Sequence, residues 1–123
     1  MKCLKTILVI TVVMLLLDSV FLTAIYGTFN KMIRGIQGSD IKMRLMGAVV
    51  CYVALVGILY YFIVLGKRSA LEAAFLGSGI YAVYESTSYA LLKDWDYRVA
   101  IMDTVWGGAL FYGTTRIVYW IVG

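Results

Sequence analysis

The chain has no histidine and no proline, and only 15% of its 123 residues are charged. Without imidazole there is no His-ligated metal or haem, no Ser-His nucleophile and no histidine general base. Without proline, helix kinks from that source are excluded. The two cysteines, Cys3 and Cys51, lie far apart and form no CxxC, so neither a disulfide framework nor a metal site is indicated. No cofactor is implied by the residue types present. Hydrophobic residues make up 63% of the chain and the mean hydropathy is +0.89, well outside the soluble globular range. The net charge of +4 does not call for nucleic acid, because nearly all the lysines and arginines flank apolar runs, where cations anchor helix ends at a bilayer surface.

The apolar runs predict an all-α, integral membrane four-helix bundle in a single transmembrane domain, with spans at about 6–26, 46–65, 70–92 and 99–122. The first run is too long, and lacks the small-residue cleavage pattern, for a removable signal. Between Gly27 and Leu45 the composition turns polar. Within that stretch Phe29, Met32, Ile33 and Ile36 recur at helical spacing, so 28–36 reads equally as a short interfacial helix or as a plain loop. The second span is uncharged, with Gly47, Ala48, Cys51, Ala54 and Gly57 offering close helix packing. Short turns make spans two, three and four antiparallel neighbours.

Ionisable groups inside such spans are costly and therefore informative. Calling side A the side where the chain starts, Asp18, Glu85 and Asp103 fall about 12, 10 and 6 Å below the side B boundary at 1.5 Å per residue. These three acids are the candidate ion-binding or proton-handling residues. Tyr81, Tyr84, Ser88, Thr104 and Trp106 are placed to support them through hydrogen bonds, and the arrangement predicts a polar chamber opening toward side B. Arg98 or Lys93 folding in from the turn is the competing, structural way to neutralise the acids. Glu72 and Arg116 lie near side A, where a structural ion pair between them, or snorkelling of Arg116, is expected. Counting cations leans toward side B being cytoplasmic.

The run Tyr84-Glu85-Ser86-Thr87-Ser88-Tyr89-Ala90-Leu91-Leu92-Lys93-Asp94-Trp95, followed by Val99, Asp103, Trp106 and Gly107, resembles the signature of a bacterial family of four-span membrane proteins catalogued as a domain of unknown function. Leu17-Asp18 with Phe21 and Leu22 is similar to that family's first-helix pattern, so the resemblance covers essentially the whole chain. The family typically has aspartate at the position of Glu85, asparagine at Ser88 and proline at Asp96. The resemblance implies four transmembrane helices and a polar site from Asp18, Glu85 and Asp103; it implies no reaction.

These residues bear on three functions. The first is proton or monovalent cation binding and translocation, as a transporter or channel component, with a pore between subunits of a homo-oligomer. The second is a structural or accessory subunit of a larger membrane-protein assembly. An intramembrane enzyme is disfavoured: Ala100-Ile101-Met102 precedes Asp103 where a membrane aspartyl protease has a Gly-x-Gly-Asp pattern, and the Gly77-Ser78-Gly79 segment has no histidine to activate its serine and reads as a packing notch.

Overall fold

The computed structural model describes residues 2–42 and 44–123, Lys2 by its backbone alone. Four helices form the expected all-α bundle: α1 (Lys2–Gln37), α2 (Leu45–Leu59), α3 (Ala70–Leu91) and α4 (Tyr97–Val122). A π-helical turn, Tyr60–Val64, continues α2.

α1 departs from expectation. It does not stop at Tyr26 but runs unbroken to Gln37, so 28–36 is helical as the continuation of α1 and not as a separate element. Gly27 alone costs only about 1 kcal/mol in a helix, and the extension has partners. The Phe29 ring meets Trp95 edge-on at 5.7 Å, and the Met32 sulfur accepts the Asp96 N–H at 3.2 Å. Gly38, at φ +77°, ends the helix in the left-handed conformation that glycine tolerates. The connector then folds back: Ile41 N–H donates to Asn30 Oδ1 at 2.9 Å, and the Gln37 amide donates to the carbonyls of Ser39 and Asp40.

α3 and α4 form the tightest pairing, because glycines remove the side chains between them. A Cβ on Gly107 would lie 2.8 Å from the Gly77 carbonyl oxygen and would overlap the Tyr81 ring; one on Gly77 would lie 2.8 Å from Phe111 Cβ. Ser78 Oγ donates across this contact to the Thr104 carbonyl at 3.1 Å. Gly77 and Ser78 therefore form the packing notch, whereas Gly79 faces open space. α3 starts on a capping box: Ser69 Oγ accepts the Glu72 N–H at 3.1 Å while Glu72 Oε1 accepts the Ser69 N–H at 3.2 Å. α4 is capped by Asp96, which accepts from Arg98 N–H.

The core runs through the middle of the bundle, with Ile10 and Met14 of α1, Leu59 of α2, Ala73 of α3 and Leu110, Phe111 and Val118 of α4 fully buried. α2 reverses through Lys67, a non-glycine residue at φ 54°. There the Tyr119 hydroxyl from α4 donates to the Arg68 carbonyl at 2.6 Å. Cys3–Gln37 and Leu45–Val64 are long and apolar enough to cross a membrane, yet only 22% of each one's most apolar stretch is buried inside the molecule. A core helix of a soluble protein would be mostly buried, so this exposed apolar surface suits a hydrocarbon solvent.

Candidate functional site

Asp18 is 6% exposed and sits where α1, α2 and α4 converge. The Tyr52 hydroxyl of α2 donates to its Oδ2, and the Trp106 indole N–H of α4 donates to its Oδ1 at 2.8 Å. The indole is held flat against Phe21, one turn along α1 from Asp18, with centroids 4.5 Å apart and planes 6° from parallel. Both carboxylate oxygens therefore have a neutral donor, which is how a buried carboxylate is retained without a counter-charge.

Glu85 on α3 is more deeply buried, at 1% exposed. Its Oε1 accepts the Trp95 indole N–H at 2.8 Å. Trp95 is itself 5% exposed, because the Leu92–Asp96 connection turns it inward between the rings of Phe29 at 5.7 Å and Tyr84 at 6.3 Å. Glu85 Oε2 receives no N–H or hydroxyl donor. Asp103 faces Glu85 across the α3–α4 interface, since Glu85 lies one turn beyond Tyr81 on α3 and Asp103 one turn before Gly107, the residue under the Tyr81 ring, on antiparallel α4. Two carboxyls meeting in a buried interface cannot both be ionised without large repulsion.

Residues 3–120 match the family model described as "Predicted membrane protein (DUF2177)". The chain belongs to this family. That is the relation expected from the sequence: a membrane protein domain of unknown function covering nearly the whole chain. No curated protein and no solved structure matches it.

In this DUF2177 protein Asp103 lies within electrostatic reach of both Glu85 and Asp18. Asp18 has its own donors, Glu85 and Asp103 form a pair, and no three His, Cys, Asp or Glu side chains converge as metal ligands among the described residues. Tyr81 lies between the two groups, its ring over Gly107 and its phenol within the electrostatic reach of Asp18 and Asp103. Around the acids stand Trp95, Phe29 and the Phe21–Trp106 stack, and an open cleft of about 440 Å³ lies on the far side of Trp95, lined by residues including Tyr89, Lys93 and Asp96. Neither turn cation neutralises the acids: Lys93 is exposed, and Arg98 lies 3.7 Å from Asp96 at the surface.

Of the expected supporting residues, Trp106 bonds directly to an acid and Tyr84 acts through the Trp95 ring, with Ser88 beside the Tyr84 hydroxyl. Thr104 uses its hydroxyl proton on its own helix. Its hydroxyl donates to the Ala100 carbonyl at 2.8 Å, the usual back-bond of a helical threonine. Glu72 and Arg116 do not pair either. Glu72 is taken by Arg68 at 2.8 Å, one turn earlier, while the Arg116 guanidinium sits 6.0 Å over the Tyr112 ring on its own helix.

Tyr52, Trp95 and Phe21 are not among the expected site residues, although Trp95 and Phe21 stand in the family pattern. Tyr52 had a usable signal: a phenol in the middle of an uncharged span needs a partner, and it lies about as deep below side B as Asp18. Trp95 had only its place in the family pattern, because by its residue type a tryptophan in a charged turn reads as an interfacial anchor.

Proposed function

We propose that this protein crosses the bilayer four times and binds and passes a proton or monovalent cation at the Glu85–Asp103 pair. α3 has 22 residues and α4 has 26, about 33 and 39 Å of helix, enough for a hydrocarbon core of about 30 Å. The single observation that supports the reading is the Glu85 oxygen without a donor, buried beside a second carboxyl. A buried charge left unpaired costs several kcal/mol, and a bound positive species between the two carboxyls removes that cost. On this reading the chain makes and breaks no covalent bonds of a substrate, and translocation runs along an interface between subunits, because the centre of one bundle is filled by side chains. The test is a proteoliposome assay with an internal pH-sensitive dye under imposed pH, potassium and sodium gradients. Flux above empty liposomes that falls in Asp103→Asn supports the reading; no flux from well-folded protein removes it.

A second reading, an accessory subunit of a larger assembly, draws on an apolar cleft of about 620 Å³ between α1 and α2, lined by residues including Ile7, Thr11, Ala48, Tyr52, Val56 and Gly57. Small residues there suit close approach of a partner helix. This reading takes over when flux is absent and the protein co-purifies from native membranes with a second membrane protein.

A further inference from the structure

We infer that the species held between Glu85 and Asp103 is a single shared proton, and not a metal cation. The inference rests on the reading of this pair as the functional site and names its occupant. The argument is an inventory of oxygens. Asp18 Oδ1 is occupied by the Trp106 N–H and Oδ2 by the Tyr52 O–H; Glu85 Oε1 is occupied by the Trp95 N–H. The buried carboxyl oxygen with no donor of its own is Glu85 Oε2, and the acid facing it from α4 is Asp103.

A hard cation stripped of water takes a shell of oxygens, six to eight for calcium and rings of carbonyls for potassium. Three oxygens from two side chains do not make such a shell. The indole N–H that completes Glu85 also presents its positive end at the same carboxyl, where a metal ion would have to sit. A proton needs only two oxygens, one to carry it and one to accept it, and that is what the geometry supplies.

The surroundings leave this proton uncontested. From α1 the pair is approached by Asp18, whose two oxygens each accept a donor from another residue. From α2 the nearest titratable groups are Tyr52, already bonded to Asp18, and Cys51. From α3 they are Tyr81 and Tyr84, and from the α3–α4 connection the neutral indole of Trp95. The ion pairs among the described residues, Arg34–Asp40, Arg68–Glu72 and Arg98–Asp96, involve none of the three intramembrane acids. With no lysine or arginine to balance two negative charges, the pair carries one charge and one proton, and the single charge is stabilised by Trp95.

The test is infrared spectroscopy of the purified protein in lipid nanodiscs at pH 7, reading the C=O stretch of a protonated carboxyl, identified by its shift in D₂O. The wild type is expected to show one such band, unchanged when choline chloride is exchanged for sodium or potassium chloride at equal ionic strength. The band is expected to vanish in both Glu85→Gln and Asp103→Asn, because the new amide N–H donates to the remaining acid and replaces the proton. Absence of the band in the wild type, its loss on adding sodium or potassium, or its survival in either variant overturns the inference. The salt exchange needs no variant, so a substitution that fails to fold does not decide the matter. A band with these properties but no flux leaves the proton in place and removes translocation; flux with a cation-sensitive band does the reverse.

Discussion

Replacing Trp95 by Phe keeps an aromatic ring between Phe29 and Tyr84 and deletes only the N–H that holds Glu85, together with the second ring of the indole. A hydrogen bond to a charged group contributes about 1.5–3 kcal/mol, and a buried acceptor left without its donor loses about 1–3 kcal/mol or more. Interhelical hydrogen bonds measured in bilayers are smaller, about 0.6 kcal/mol on average and 1.7 at most. Glu85 is 1% exposed, so water does not take the place of the indole, and the upper part of these ranges applies: about 2 kcal/mol, or roughly thirtyfold in the folding equilibrium. The lost ring confuses a single measurement, so the perturbation is made as a cycle with Glu85→Met, which removes the acceptor at similar volume. Reversible unfolding in mixed micelles, followed by far-UV circular dichroism, is expected to give a coupling of about 1–2 kcal/mol between the two positions. Additivity of the two substitutions within about 0.3 kcal/mol would refute the reasoning.

Gly107→Ala is expected to cost about 1–3 kcal/mol by overpacking, since its Cβ would meet the Tyr81 ring and the Gly77 carbonyl. Gly79→Ala, with nothing within 4 Å, is expected to be neutral or to stabilise by up to about 1 kcal/mol; thermal unfolding in detergent compares the two. Tyr52→Phe is expected to destabilise the wild type by about 1 kcal/mol and an Asp18→Asn protein by less, because the hydroxyl donates to Asp18; equal losses in the same micelle assay count against that bond. Lys67→Gly is expected to stabilise by about 1 kcal/mol by removing the left-handed strain at φ 54°, and a lowered unfolding midpoint would contradict this.

Much of the architecture is legible in the sequence because it follows from solvent alone. Long apolar runs bounded by cations specify helices and their order, and Gly77, Gly107 and their neighbours mark where α3 and α4 meet. The end of α1 is not legible, because what carries the helix past Gly27 is tertiary: Phe29 finds Trp95, and Met32 finds the Asp96 backbone. The acids at the site are visible as charges in apolar surroundings. Their partners are harder to read. Depth and helical face do not say whether an acid will meet a cation, an amide or an indole, and the neutral donors that took those places, Trp95, Trp106 and Tyr52, are residue types common in every membrane helix bundle. Glu72 illustrates the same limit from the other side: Arg68, four residues away, captures it before the distant Arg116 can.

The central claim is that Glu85 and Asp103 together handle a positive species inside the bundle, and flux in proteoliposomes tests it most directly. Wild type, Asp103→Asn, Glu85→Gln and Glu72→Gln would be compared under matched pH and cation gradients. The account predicts dye-reported proton flux in the wild type and in Glu72→Gln, whose carboxylate is spent on Ser69 and Arg68 at the surface, with at least a tenfold loss, about 1.4 kcal/mol, in both pair variants. Equal flux in all four proteins, or none above empty liposomes, would contradict it.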